Sequence, residues 1–325
     1  MVKILTPTRS YVTHYPEAVK FAETQESIFW TANEISVEKD IQDMRVNMTE
    51  AERHGVITTL KLFTLYELVA GDEYWLGRIK DTFQRPEIQR MAATFGFFEL
   101  NVHAPFYNKL NEALMLNTEE FYNDYISTPV LKSRMDFIDR IVGNPDPLIS
   151  LGAFSLVEGA VLYSSFAFLK HFQTKGKNKL LNVTRGINFS VRDENLHALA
   201  GSWLYRSLRD ELIKAGECSS DYLGMVHRTL QSLSEHVYLH EQQIIDMIFE
   251  KGEIEGITAE QMKTFVKGRI NLCLSHLGID PVFEVKNDII SEWFYDNINM
   301  VSFGDFFVGI NSEYNRSWDQ AGFKW

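Results

Sequence analysis

The chain has 325 residues, 45% of them hydrophobic, and a formal net charge of −12. That length can bury one large core, and that acidity argues against a nucleic-acid partner, whose phosphates call for a basic surface. Two cysteines, Cys218 and Cys273, exclude a disulfide framework, and 23 phenylalanines against only 8 prolines favour long helices.

In chain order, the opening Met-Val-Lys-Ile-Leu-Thr-Pro contains no signal-peptide hydrophobic run, so a cytoplasmic protein is expected. No linker divides the sequence, which reads as one domain over residues 1–300 and an irregular tail over 301–325. Residues 27–40 form a lead-in segment containing Phe29-Trp30. Thr49, three residues ahead of Glu52, has the capping-box pattern and opens a helix to about residue 80. That helix carries Glu67 in an otherwise apolar stretch. The next, from Pro86 to about residue 116, carries Glu99, His103 and Tyr107. Pro105 lies inside it, cannot donate to the Asn101 carbonyl and crowds it, so a kink or π-bulge is expected between Glu99 and Tyr107. A helical pair follows over 119–142.

Residues 148–169 are apolar or small almost throughout, with Glu158 the lone charge. The stretch is long enough to span a bilayer, but a carboxylate at its centre would be costly in lipid. Because the rest of the chain is polar and acidic, it reads as the buried helix of a soluble protein, with no membrane partner. A turn at 174–178 leads to a helix over 179–213 with Asp193, Glu194 and His197. Helices follow over 220–251, 258–277 and 286–299.

Each half of the chain thus supplies a lone carboxylate on one helix and a Glu/His pair on a later one: Glu67, then Glu99 with His103; Glu158, then Glu194 with His197. Four helices pointing such groups inward is the ligand pattern of a carboxylate-bridged dinuclear metal site in a ferritin-like bundle. Carboxylates with imidazoles suit iron or manganese. Glu194 and His197 are three residues apart and share a helix face. Glu158 would cost several kcal/mol if buried alone, so a metal or an ion pair with Arg192 must compensate it. A competing group, Glu235, His236, His240 and Glu241, lacks the order of a zinc-protease helix and reads as a solvated face.

These residues together resemble the radical-generating small subunit of class I ribonucleotide reductase. The resemblance is carried by Phe29-Trp30-Thr-Ala-Asn-Glu-Ile, Val157-Glu158-Gly159, Arg192-Asp193-Glu194-x-x-His197 and Phe306-Phe-Val-Gly-Ile-Asn-Ser-Glu-Tyr314. It implies an all-α fold and two metal ions per chain, iron or manganese or one of each. Glu67, Glu99 and His103 would hold one ion, and Glu158, Glu194 and His197 the other, with two carboxylates bridging. Oxygen would oxidise the reduced metals, and the oxidising equivalent would be kept on Tyr107 or on the metals. Trp30 and Asp193 would relay it, and Tyr314 in the tail would pass it to a separate large subunit that reduces ribonucleotides. Leu162, Phe166 and Ser190 would lie near the radical. The resemblance also implies a homodimer and, in some members, an activating flavoprotein. Two positions depart from the family pattern: Glu99 and His103 are one residue further apart than usual, and Glu67 stands where aspartate is common. The rivals are a dimetal oxidase acting on its own substrate in an open pocket, and a non-catalytic ferritin-like metal-binding protein.

Overall fold

The computed structural model describes residues 2–174, 176–295 and 298. The tail over 301–325, and with it Tyr314, lies outside the described residues. Among the described residues there is no strand beyond one isolated bridge pair, Ile254 with Ile257.

The helices are α1 Pro16–Ser27, α2 Glu50–Val69, α3 Lys80–Thr82, α4 Pro86–Phe98, α5 Ala104–Ala113, α6 Glu119–Ser127, α7 Pro129–Val142, α8 Pro147–Leu156, α9 Tyr163–Lys170, α10 Leu181–Lys214, α11 Ser220–Ile248, α12 Ala259–Leu277 and α13 Ser291–Phe294. Local chemistry sets several ends. Thr49 and Glu52 close a reciprocal capping box at the start of α2, at 3.2 and 2.8 Å, a device worth about 1 kcal/mol. Asp146 caps α8 through the Leu148 and Ile149 amides. Gly278 ends α12 in the left-handed conformation, φ 77°, as a glycine there can without steric cost. The N-terminus of α10 is held by side chains from outside it: Asp43 accepts from the Leu180 amide and Asp40 from the Val183 amide.

Among the described residues, a short π turn spans Asp43–Asn47, and three long helical rods contain π turns as well. The rod begun by α2 widens at Ala70–Ile79 before α3, that of α4 and α5 at Glu99–His103, and that of α8 and α9 at Val157–Val161. The break expected from Pro105 is therefore the second of these. Pro105 falls in the first turn of α5, where its missing N–H is tolerated.

Two readings from the sequence are corrected. The helix expected over 286–299 is, among the described residues, only Ser291–Phe294; Asn287 adopts a left-handed φ of 55°, which a helix does not accommodate. Helix α1 was not anticipated, although Pro16 at its first position and buried Ala18, Phe21, Ala22 and Gln25 on one face supply the signal.

The apolar helix Pro147–Gln173 has the length and composition to cross a membrane, but 94% of its apolar window is buried inside the protein. It is the central rod of the bundle, and α10, α11 and α12 pack around it. Four carboxylate-bearing rods consequently converge on one interior volume.

Candidate metal centre

Glu67, Glu99, His103, Glu158, Glu194 and His197 are all at most 5% exposed. Two groups of donor atoms each fall within 4.8 Å: Glu67, Glu99, His103 and Glu194, and then Glu99, Glu158, Glu194 and His197. Glu99 and Glu194 belong to both. Glu99 presents one oxygen to His103 Nδ1 at 2.9 Å and the other to His197 Nδ1 at 2.6 Å. Glu194 does the same, at 3.1 and 3.6 Å. Glu67 lies 3.5 Å from His103, and Glu158 3.6 Å from His197. The π turns explain the fit. Glu99 and His103 open and close one such turn, whose wider circuit takes up the extra residue between them. Glu158 sits in another.

The outer nitrogens are fixed as well. His103 Nε2 faces Asp193 Oδ2 at 3.1 Å, and His197 Nε2 faces Gln25 Oε1 at 3.2 Å. Both imidazoles therefore turn Nδ1 inward and are held from behind, the arrangement that orients metal-binding histidines. Gln25 was missed from sequence because it comes from α1. Arg192, considered as a counterion for Glu158, contacts Asp193 Oδ1 at 3.1 Å and the Ile28 carbonyl at 2.7 Å.

The electrostatics identify what the cluster needs. Burial, then the charge of Glu99, pushes the Glu67 carboxyl far above its usual range; burial does the same to Glu158, with Glu194 and Glu99 adding to it. Glu99 is pushed up by burial, but His103 and His197 pull it well below the ordinary value. Both histidines are raised, since their carboxylate neighbours outweigh burial. Four buried carboxylates with two imidazoles thus require positive charge between them. Oxygens of Glu67, Glu99, Glu158 and Glu194, and Nδ1 of His197, make no hydrogen bond of proper geometry. His197 Nδ1 and Glu99 Oε1 approach closely without donor geometry, as two donors aimed at a common ion do. Two divalent cations would balance the four carboxylates, so the donor set fits a metal pair.

Tyr107 is fully buried. Its ring stacks on Phe63 at 4.4 Å and 8°, and Phe63 stacks in turn on Phe166 at 5.1 Å. Burial and the Glu67 charge raise the phenol's pKa; Ser190 is beside it, but neither hydroxyl has a well-formed hydrogen bond. Trp30, 1% exposed, donates from Nε1 to Asp193 Oδ2 at 2.7 Å. Asp193 Oδ2 therefore joins the indole of Trp30 to the imidazole of His103, and Arg192 helps hold that carboxyl below its ordinary value. Beside the cluster is a cavity of about 20 Å³ lined by Tyr66, Glu67, Glu158, Phe166 and Glu194 among others. It has room for about one water molecule, not an organic substrate.

The competing histidine group is not assembled. Glu235 and His236 are exposed, but Glu241 is fully buried, 2.7 Å from Arg134 and bonded by Ser164 at 2.6 Å. The face is solvated only in part, because Glu241 turns inward to a buried cation.

A family model described as "Ribonucleotide reductase, small chain" matches residues 9–288. The probable ribonucleoside-diphosphate reductase small subunit 048L of Invertebrate iridescent virus 3 is 24% identical over 93% of this chain and 83% of its own length. The ribonucleoside-diphosphate reductase small chain of Encephalitozoon cuniculi is 26% identical over 93% and 87%. Among solved structures, the dimanganese(II)-NrdF of Streptococcus sanguinis aligns with a TM-score of 0.75 at 21% identity, over 88% of this chain and 96% of that one. The ribonucleotide reductase R2 subunit of Clostridium botulinum aligns at 0.71 and 20%, over 88% and 85%. These structural likenesses bear on the fold.

Proposed function

The chain belongs to the ribonucleotide reductase small-chain family, and on that premise we propose how its residues serve that enzyme. As a small subunit it works with a separate large subunit in reducing ribonucleotides. Glu67 and His103 would hold one ion and Glu158 and His197 the other, with Glu99 and Glu194 in reach of both. The observation that carries this assignment is that, among the described residues, Glu99 and Glu194 alone belong to both donor groups. Iron or manganese suits these donors. When bound, such a pair supplies, by reaction with oxygen, the oxidising equivalent the enzyme needs.

Tyr107 keeps that equivalent. Its ring is walled by Phe63 and Phe106, at 4.4 and 5.0 Å, and shielded from water and reductants. Trp30 is the exit. When an electron passes through its indole, Asp193 Oδ2, 2.7 Å from Nε1, accepts the proton and returns it afterwards. Asp193 suits this role because its low pKa keeps it ionised. The tail over 301–325, with Tyr314, reaches the large subunit, and residues 1–300 form the metal-binding domain. The protein is cytoplasmic and acts as a homodimer, with an activating flavoprotein as a further partner. The water-sized cavity disfavours an oxidase with its own organic substrate.

The test is reconstitution of metal-free protein with ferrous or manganous ions under air, followed by electron paramagnetic resonance. A tyrosyl signal that disappears in Tyr107→Phe, together with nucleotide reduction when the large subunit is added, supports the reading. A tyrosyl signal that survives in Tyr107→Phe removes Tyr107 from it.

A further inference from the structure

Arg269 of α12 is 3% exposed, and its described partners are neutral. Nε and Nη2 both donate to the Gly159 carbonyl, at 3.1 and 2.7 Å. Nη2 also reaches Asn195 Oδ1 at 3.2 Å, and Nη1 donates to the Tyr295 hydroxyl at 2.9 Å. The guanidinium lies 3.8 Å from the centre of the Tyr163 ring, and the Tyr163 hydroxyl donates to the same Asn195 oxygen at 2.8 Å. Burying a guanidinium among neutral groups is costly, and here two of the acceptors sit at particular points. Gly159 directly follows Glu158, inside the π turn Val157–Val161. Asn195 directly follows Glu194 on α10.

The packing is tight at the same spot. A Cβ at position 159 would lie 2.4 Å from Cys273 Sγ on α12 and 3.2 Å from Ala198 Cβ on α10. Three helices therefore meet with no slack where Glu158 and Glu194 leave their backbones. A π turn departs from the regular α ladder and must be held by its surroundings. A planar guanidinium suits that task, because its fork grips several acceptors at fixed angles, whereas an ammonium is a point charge.

We propose that Arg269 is a positioning residue for the metal centre: its guanidinium clamps the backbone after Glu158 to the side chain after Glu194 and so fixes where those two carboxylates point. The inference rests on the metal-centre reading above. It assigns a role to α12, which contributes no donor to the cluster.

The experiment is a manganous-ion titration of full-length protein, followed by electron paramagnetic resonance, with Arg269→Lys beside the wild type. Lysine keeps the charge and loses the fork. If the wild type fails to take up a pair of ions, the metal-centre reading falls, whatever Arg269 does. If the wild type binds, Arg269→Lys that is folded by circular dichroism should bind at least about tenfold more weakly, the usual cost of losing an outer-shell partner, with a changed line shape for the bound ions. An arginine that serves stability alone would lower the melting temperature and leave affinity and line shape at wild-type values; that result overturns the proposal. Should Arg269→Lys not fold, Asn195→Ala decides, since it leaves Arg269 on Gly159. Weaker binding with an altered signal supports the clamp, and wild-type binding refutes it.

Discussion

Gly186 on α10 offers a direct test of how tightly the surroundings of Tyr107 are packed. In Gly186→Ala two effects oppose each other. Replacing a helical glycine by alanine normally stabilises by about 1 kcal/mol. Here the new Cβ would lie within contact distance of three ring atoms of Phe106, the nearest at 2.2 Å. Phe106 is fully buried, and its ring is boxed by Trp30 at 5.5 Å and Tyr107 at 5.0 Å. The ring can yield only by pressing on those two neighbours. Overpacking of this kind costs about 1–3 kcal/mol, and a 2.2 Å approach to a ring so confined belongs at the upper end of that range, so the clash wins and the variant is destabilised by a net of up to ~2 kcal/mol. Denaturant unfolding of both proteins reads this directly, and decay of the tyrosyl signal reports the loosened wall as a shorter lifetime. A variant as stable as the wild type, or more so, would show that the Phe106 wall is not close-packed and would refute the reasoning.

Trp30→Phe removes the indole donor to Asp193, so nucleotide reduction with the large subunit should fall by about 10²-fold, in the range for loss of a positioned proton-transfer group, while metal uptake persists. A wild-type rate would show that Trp30 is not the exit. Glu241→Ala leaves Arg134 buried beside it without its partner and should cost about 3–5 kcal/mol on chemical denaturation; a loss below about 1 kcal/mol would mean the pair is compensated elsewhere. The cluster also sets a pH dependence. With metal removed, His103 and His197 have raised pKa values, so their contribution is complete below about 6.5 and is lost as pH rises through their folded values. The raised Glu67 and Glu158 act in the same direction, because holding them uncharged costs more as pH climbs above about 4.5. Metal-free protein should therefore lose stability as pH rises above about 6.5, while metal affinity rises as those protons are displaced; melting curves rising with pH in the metal-free state would contradict this.

The sequence disclosed most of the site because buried charge is conspicuous. Glu158 stands alone in an apolar helix, and Glu194 with His197 shares one helix face, so each pointed inward without any structure. Pro105 likewise announced a distortion near His103. What it did not disclose was contributed by long-range packing. Gln25 lies 172 residues from His197, whose Nε2 it meets. Arg269 approaches Gly159 across 110 residues, and no local pattern marks either one. Which carboxylates are shared was equally hidden, since it depends on how four rods converge. The short α13 defeated a helical reading because Asn287 turns left-handed just ahead of it.

The most direct measurement is anomalous diffraction from crystals grown with manganous or ferrous ions. The account predicts two peaks per chain, about 3.5–4 Å apart as in other paired-metal sites, one beside Glu67 and His103 and the other beside Glu158 and His197, with Glu99 and Glu194 between them. A single peak, or a pair to which Glu99 and Glu194 are not common, would contradict the centre described above.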